Sequence, residues 1–378
     1  MRRKQETPMP AQPIHRVDQI GSLLRPERLL DARDSFRSGK ITREELSRVE
    51  DDCVLEVLER QQAAGMTIFT DGEMRRDAWQ TVFSQAVSGF EEAYPQRDFK
   101  RADGETVRLQ MHTKAVTAKL KQERRIAGPD AAFLRGHAPG PFKITQPSPA
   151  LIARACWRNG ATDKAYADRA GLMADVVTIV SGEMRALADD GASYLQFDEG
   201  FTIYGEDGGH EQLRATGEDP EKALLADIAA ENACFAAARR DGLILAMHLC
   251  RGSRAGFARR TGSYEWLAER LFGELHADRF LLEYDSERVG SFEPLRHLPK
   301  GKIAVIGLVS STDPQLETRD ALLRRIEDAA RYCPLDQLAI SSQCGFQGSA
   351  TRDGAHMNYE QQWRKLELLA KVAADVWG

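Results

Sequence analysis

A series of eight short apolar runs, each ending in a cluster of polar residues, constrains the fold of this chain most. The runs cover residues 17–20, 67–70, 142–144, 194–197, 244–247, 280–282, 303–308 and 338–340. Between them lie segments with apolar residues three and four positions apart, the spacing of an amphipathic helix: 43–64, 162–189, 220–241, 264–275, 317–332 and 357–377. Alternating strands and helices form parallel sheets, and eight strands favour a closed barrel over an open doubly wound sheet. We therefore predict an α/β fold of the (β/α)8 TIM-barrel type.

Two stretches interrupt this rhythm. Between about residues 90 and 135, Val107, Leu109 and Met111 alternate with polar residues, which predicts a β-hairpin insertion. Residues 202–216 are rich in glycine and acids, which predicts a loop over the mouth of the barrel. Residues 1–14 have the composition of a disordered N-terminal tail, and 15–378 are predicted to form a single catalytic domain.

Composition and charge exclude several classes of partner. A net charge of −5 and a pI near 6.0 lack the concentrated excess of Lys and Arg that a nucleic-acid surface needs. No apolar run approaches the roughly 18 residues that span a bilayer, and the N-terminus lacks the apolar stretch of a signal peptide. Six scattered cysteines are typical of a reducing compartment. We expect a cytoplasmic protein with small-molecule partners and neither a nucleic-acid nor a membrane partner; homo-oligomerisation stays open.

The pattern His248-x-Cys250 at the end of the fifth run is the clearest chemical signal. Residues two apart on a strand point the same way, so an imidazole and a thiol at this spacing can bind one metal ion together. Such a pair alone is more often incidental packing. Cys344, which ends the last run, supplies a third ligand, and two thiolates with one imidazole are typical of a catalytic Zn2+ with one open position. Glu283 ends the following strand and is a candidate fourth ligand.

Acidic residues at other strand ends indicate what the metal site acts on. Glu73 and Asp198 follow apolar runs directly and would face the barrel mouth, although a solvated strand cap is the simpler explanation for such residues. Ionised carboxylates there can bind a substrate ammonium by charge-assisted hydrogen bonds. Backbone amides around Gly21 and Ser22 can receive a carboxylate. Together these groups predict a small amino-acid thiol as substrate, with Glu73 and Asp198 as catalytic residues.

Several motifs in order resemble one enzyme family. They are residues 20–26 (IGSLLRP), 71–76 (DGEMRR), 196–199 (QFDE), 247–252 (MHLCRG), 282–285 (LEYD) and 343–345 (QCG). From about residue 15 onward the chain resembles the catalytic half of cobalamin-independent methionine synthase, and in particular its single-barrel homologues. The resemblance implies a zinc site formed by His248, Cys250, Glu283 and Cys344. It also implies a homocysteine site formed by Ile20, Ser22, Glu73 and Asp198.

The departures from the family pattern concern the methyl donor. The family carries a histidine after the seventh strand, whereas residues 307–311 here read GLVSS. The usual Asp-Glu-Pro is Asp198-Glu199-Gly200, and the tryptophan-bearing folate segment is replaced by residues 145–149 (TQPSP). These differences argue against folate as the methyl donor.

The sequence therefore predicts a zinc-dependent methyltransferase that activates homocysteine as a zinc thiolate and methylates its sulfur to give methionine. Three alternatives stay open. The barrel could alkylate another thiol, as epoxyalkane:coenzyme M transferases do, or it could be a metal-free enzyme related to uroporphyrinogen decarboxylase. In a non-enzymatic alternative, zinc only stabilises the fold of a binding module.

Overall fold

The computed structural model describes residues 15–93, 96–100, 106–110, 113–254, 257–258, 260–352 and 357–378. The predicted tail at 1–14 lies outside these residues, so the division into a tail and one domain over 15–378 stays a prediction. Met111, one of the three residues on which the hairpin prediction was based, also lies outside them.

A parallel sheet of six strands forms the centre of the fold. Its strands are β5 (Lys143–Pro147), β6 (Tyr194–Asp198), β7 (Ile244–Leu249), β10 (Arg279–Glu283), β11 (Ile303–Val309) and β12 (Leu338–Ser342). They pair in the order β12-β11-β10-β7-β6-β5, and every adjacent pair is parallel. Nearly every residue of these strands is buried, because the interior and the helices cover both faces. This double burial explains why the strands read as continuous apolar runs.

The first two predicted strands contribute single bridges to this sheet. Val17 pairs in parallel with Ile340 of β12, and Phe69 pairs in parallel with Phe142, just before β5. Where the two segments meet, the described bonds are few: Leu23 N donates to Gly72 O at 3.1 Å and Thr70 Oγ1 donates to Gly21 O at 3.1 Å. All eight segments thus neighbour one another in chain order. The predicted α/β fold of TIM-barrel type is confirmed, with two of its strands shortened to bridges.

Helices cover the outside of the sheet. They are α1 (Glu27–Arg37), α2 (Arg43–Ala63), α3 (Thr81–Ala86), α4 (Gly128–His137), α5 (Pro149–Ala155), α6 (Arg169–Asp189), α7 (Thr202–Gly205), α8 (Gly209–Ala215), α9 (Pro220–Ala238), α10 (Glu265–Glu274), α11 (Arg319–Ala329) and α12 (Tyr359–Trp377). Side-chain caps fix several starts: Thr42 and Glu45 form a capping box at α2, as Asn358 and Gln361 do at α12. No helix among the described residues is long and apolar enough to cross a membrane.

The insertion contains antiparallel strands, as predicted. Strand β1 (Val87–Ala93) pairs with β4 (Thr113–Gln122), and β2 (Gln96–Lys100) pairs with β3 (Thr106–Gln110). Two short strands from the segment after Cys250, β8 (Ser253–Arg254) and β9 (Phe257–Ala258), extend the second pair. The end of the predicted insertion is helical, because α4 begins at Gly128.

One prediction about a loop was wrong. Residues 202–216 were expected to form an irregular loop, but they contain the short helices α7 and α8. The glycines of this segment had favoured a loop. Gly208 does interrupt the helical backbone, with a left-handed φ of 77° between the two helices, but Gly205 and Gly209 lie within the helices.

An ionic layer fills part of the barrel interior beneath the apolar one. Ile20, Ile68, Tyr194, Ile244, Ala246, Leu281, Val305 and Ala339 form the inner apolar cluster. Below it, Lys143 Nζ donates to Asp18 Oδ1 at 2.5 Å, and Arg279 pairs with Asp18 Oδ2 at 3.2 Å. All three charged groups are buried, and the two cations share the single carboxylate of Asp18.

Candidate metal and thiol site

The predicted site residues lie at the carboxyl ends of the strands. Asp198 and Glu283 are the last residues of β6 and β10, while Cys250 follows β7 directly. Cys344 lies two residues beyond the end of β12. Since parallel strands all end at one rim of the sheet, residues far apart in sequence meet there.

His248, Cys250 and Cys344 converge. One ligand atom from each of these side chains lies within 4.8 Å of the other two. His248 and Cys250 are buried and Cys344 is partly exposed, so the group opens toward the barrel mouth on the Cys344 side. The sequence argument required this approach of Cys344 to the His-x-Cys pair, and the structure shows it.

The imidazole of His248 is oriented as a metal ligand. Its Nδ1 lies 3.1 Å from the carbonyl oxygen of Leu281, and since a carbonyl only accepts, Nδ1 carries the proton. The Nε2 atom is buried and has no oxygen or nitrogen partner. The lone pair of Nε2 is therefore available to a metal ion. The backbone hydrogen bond on Nδ1 fixes the orientation of the ring, as in most metal-binding histidines. The three residues present thus fit a zinc ion.

The two thiols perturb each other and the imidazole. Interaction with the Cys344 thiol, together with burial, raises the pKa of Cys250 well above its ordinary value. Burial lowers the pKa of His248, but Cys250 and Asp198 outweigh burial and raise it above the ordinary value. Such mutual perturbation is typical of groups arranged for a cation, because a positive ion would stabilise both thiolates together.

Glu283 lies beside the converging group but is engaged by other residues. Its Oε2 accepts from the backbone N–H of Arg251 at 2.6 Å, and its Oε1 accepts from Gln343 Nε2 at 3.2 Å. The guanidinium of Arg288 also pairs with this carboxylate. Glu283 would have to exchange these partners to bind a metal, so its role as fourth ligand stays a prediction.

Glu73 is held in a strained backbone conformation at the same rim. Its φ is 58°, and only Glu199, with φ 50°, shares this left-handed region among the described non-glycine residues. Its Oε1 accepts from Thr145 Oγ1 at 2.8 Å and from Arg76 at 3.2 Å, whereas Oε2 is buried without a hydrogen-bond partner and lies 4.0 Å from the guanidinium of Arg25. Strained residues persist where surrounding contacts fix them, often at functional sites.

Asp198 carries a shifted pKa. Burial raises the pKa of this carboxyl to about 7, with Glu73 adding to the effect and His248 opposing it. Its Oδ1 accepts from Gln196 Nε2 at 2.6 Å. A carboxyl with a pKa near neutrality can exchange a proton at physiological pH, which suits an acid or base.

Ser22 and Ile20 lie at the end of the first segment. Ser22 O accepts from Phe346 N at 2.9 Å, which joins this segment to the loop that carries Cys344. A Cβ at position 345 would lie 1.9 Å from Ser22 Oγ, so only glycine fits beside Cys344. The Ile20 side chain points into the barrel interior, and its carbonyl accepts from Gln196 Nε2 at 2.8 Å.

Sequence reasoning missed the residues that support the site. Arg76 and Thr145 hold Glu73, and Gln343 and Arg288 hold Glu283. Tyr264 joins two strand ends, since its hydroxyl donates to Leu249 O at 2.9 Å and accepts from Glu283 N at 3.0 Å. Arg76 and Gln343 stand in quoted motifs, which was the available signal; nothing in the local sequence marks Tyr264 or Arg288.

The fold and the residues at its rim define a barrel enzyme of the methionine synthase type. The family described as cobalamin-independent synthase, catalytic domain, matches residues 17–361. The chain therefore belongs to this family and is a methyltransferase of the methionine synthase type, which confirms the resemblance drawn from the motifs.

Relatives and solved structures cover most of the chain. YxjH of Bacillus subtilis, an uncharacterized protein, is 35% identical over 372 residues, covering 96% of this chain and 94% of its own. Methionine synthase of Pyrococcus abyssi is 25% identical over 334 residues, with coverage of 88% and 86%. A Listeria monocytogenes structure, described as a candidate vitamin-B12-independent methionine synthase, has a TM-score of 0.75 at 27% identity and covers 98% of this chain and 99% of its own.

Proposed function

We propose that this chain transfers a methyl group to the sulfur of homocysteine, forming methionine, at a zinc ion held by His248, Cys250 and Cys344. The observation that carries the proposal is the convergence of their three ligand atoms within 4.8 Å at the carboxyl ends of the strands. One nitrogen and two sulfurs match the ligands that zinc prefers, and three protein ligands leave a position for substrate.

The protein's own groups prepare this site for metal and thiol. The Leu281 carbonyl fixes the His248 tautomer that presents Nε2. When bound, zinc would supply Lewis acidity that lowers the pKa of a coordinated thiol. Glu283 is proposed to complete the ligand set when substrate is absent, which requires that Arg288 release its carboxylate.

Glu73 and Asp198 are proposed to hold the amino group of the substrate. The buried Glu73 Oε2 accepts no hydrogen bond and has only the Arg25 guanidinium 4.0 Å away, so a substrate ammonium would supply the missing donor. Asp198, with a pKa of about 7, can also accept the proton that the thiol loses. The backbone around Ile20 and Ser22 would then receive the substrate carboxylate. In the transfer, a sulfur–carbon bond forms while the carbon–donor bond breaks, and its electron pair leaves with the donor.

Two nearby carboxylates favour an amino-acid thiol over coenzyme M. A sulfonate placed near Glu73 and Asp198 would be repelled, whereas an ammonium would be attracted. We expect a methyl donor other than a folate, because residues 307–311 (GLVSS) carry no histidine where the family pattern has one. A serine hydroxyl cannot act as an acid near neutral pH as a histidine can, so a donor that leaves without protonation fits better.

Metal analysis and product mass test the proposal. Purified protein should contain about one zinc per chain, the number that one three-ligand site predicts. With homocysteine it should form methionine from methylcobalamin or an S-methyl sulfonium compound, and methyltetrahydrofolates are included to test the expectation that folate is not the donor. Cys344→Ser should lose zinc and activity together, while Cys156→Ser, at a cysteine of similar partial burial outside the site, should retain both.

X-ray absorption distinguishes a zinc site that binds substrate from a zinc site that is purely structural. Addition of homocysteine should bring one further sulfur into the zinc coordination sphere if the site accepts substrate. An unchanged ligand set would show that the zinc is structural and would contradict the proposal. Zinc-free protein that still turns over a substrate would contradict it as well, in favour of a metal-free reaction.

A further inference from the structure

A cavity of about 570 Å³ lies beside the barrel, away from the converging His and Cys residues. Helices α1, α2, α3 and α4 and the segment after Glu73 line it. Among its lining residues are two acids, Asp77 and Asp130, and six arginines: Arg33, Arg37, Arg43, Arg75, Arg76 and Arg124. The volume falls in the range of sites for small molecules, which is roughly 300–1,000 Å³.

Two of the inner arginines have donors that the protein leaves unused. Arg33 is bonded to Glu50, Asp77 and the Met74 carbonyl, yet its Nε–H has no partner. Arg76 is bonded through its two terminal nitrogens, yet its Nε–H is also unpartnered. Both side chains are about nine-tenths buried or more. Buried donors without acceptors are costly, and both side chains line the cavity, so an anion that enters it and reorients these guanidinium groups would supply the missing acceptors.

The outer arginines are available for exchange. The side chain of Arg124 is exposed and has no carboxylate partner among the described residues. Arg37 pairs with Asp34 at 3.1 Å and Asp77 at 3.6 Å, and all three side chains are about half exposed. Exposed ion pairs of this kind contribute little to stability, so an entering anion can replace these carboxylates at small cost.

Carboxylates pair with most of the arginines around the cavity, and among the described residues only the exposed Arg124 has no such partner. Glu50 and Asp51 lie behind the wall, where they pair with Arg33 and Arg75. Of the two acids in the wall itself, Asp130 is buried, and burial raises its pKa to about 7. At neutral pH this carboxyl is therefore partly protonated, and the guanidinium groups of the wall outnumber its negative charges.

We propose that this cavity binds a small molecule carrying two or more phosphate or carboxylate groups, at a site separate from the thiol site. Planar guanidinium groups bind both oxyanions through paired hydrogen bonds, which is the chemistry that these sources share. Several anionic groups are required because the arginines come from two helices and two connecting segments, and one ion contacts only a few of them. Arg76 belongs to both sites, since it also donates to Glu73.

Calorimetric titration of the full-length protein with pyrophosphate and with a triglutamate peptide tests the proposal at constant ionic strength. We expect saturable binding of one molecule per chain for at least one probe, and the probe that binds identifies phosphate or carboxylate as the source. The double variant Arg37→Gln/Arg124→Gln should bind about tenfold more weakly or worse, since two charge-assisted contacts are lost. Arg324→Gln, an exposed arginine on α11 far from the cavity lining, is the matched control.

Three results would overturn the proposal. The first is the absence of a saturable binding heat for both probes at millimolar concentration, which would leave the arginines as a structural ion-pair network. The second is that Arg324→Gln weakens binding as much as the double variant does. The third is that the double variant binds normally. Either result would place binding outside this cavity, for example at the metal site. The double variant involves exposed side chains, so an unchanged thermal midpoint should accompany the loss of binding.

Discussion

Glu231 is a buried acid whose protonation should govern stability near the site. It lies on α9 behind the segment that follows Asp198, where a Cβ at Gly200 would lie 3.3 Å from its Oε1. The Ala150 N–H donates to Oε1 at 3.1 Å, while Oε2 is buried without a partner. Burial raises the pKa of this carboxyl from 4.5 to about 8.

The sign of the effect follows from proton binding. Between about pH 4.5 and 8 the folded protein keeps the proton on Glu231 while the unfolded chain loses it. The contribution of this residue to the free energy of unfolding is therefore complete below pH 4.5 and decreases as pH rises toward 8. A pKa difference of about 3.5 corresponds to at most roughly 5 kcal/mol. Local relaxation reduces that bound, and we expect about 2 kcal/mol.

The substitution Glu231→Gln isolates this contribution. Glutamine keeps the acceptor for Ala150 N–H and cannot ionise, so the variant should gain stability over the parent as pH increases from 5 to 8.5. The assay is the thermal midpoint of both proteins across that range at one scan rate, where about 2 kcal/mol corresponds to several degrees or less. Glu327→Gln, at an exposed glutamate of α11, is the control and should show no pH-dependent difference. A parent–variant difference that stays constant across the range would refute the reasoning.

Three further predictions concern the rim of the barrel. Gly345→Ala should raise the KM for homocysteine by about tenfold or more in steady-state kinetics, because the new Cβ would lie 1.9 Å from Ser22 Oγ and must displace it. Glu73→Gln should raise the same KM by about tenfold with zinc content unchanged by atomic emission, because it weakens an ammonium contact without touching the metal; zinc loss would contradict that role. Arg288→Ala should slow zinc loss to a chelating dye in the absence of substrate, because it frees Glu283; unchanged release would argue against Glu283 as a ligand.

The sequence predicted the sheet well because its strands are buried on both faces. Apolar runs at 194–197 and 303–308 became β6 and β11 with nearly the same bounds. The first two runs became single bridges, since the ladder bonds of a strand depend on where its neighbours lie and not on its own composition. The short helices α7 and α8 were missed because tertiary contacts stabilise segments of four and seven residues, in which the helical period barely repeats.

The convergence of His248, Cys250 and Cys344 was predictable for a different reason. A histidine and a cysteine two residues apart on a strand must share a face, and Cys344 ends another strand at the same rim. The partners of Glu283 were not predictable, because Arg288 and Gln343 reach it through loops and side-chain rotamers that no periodicity encodes. Local spacing therefore specifies which residues share the rim, whereas the pairing of charges depends on the assembled fold.

The buried ionic layer of the barrel interior also helps to orient a residue of the site. Lys143 Nζ donates to Gln196 Oε1 at 2.9 Å, and since an ammonium only donates, the amide oxygen must face it. The amide nitrogen of Gln196 is thereby directed toward the rim, where it donates to Asp198 Oδ1 at 2.6 Å and to Ile20 O at 2.8 Å. Asp18 balances the lysine charge from below. A buried ion pair in the interior thus determines which donor Asp198 receives, and the orientation of one proposed catalytic carboxyl depends on residues that never reach the mouth of the barrel.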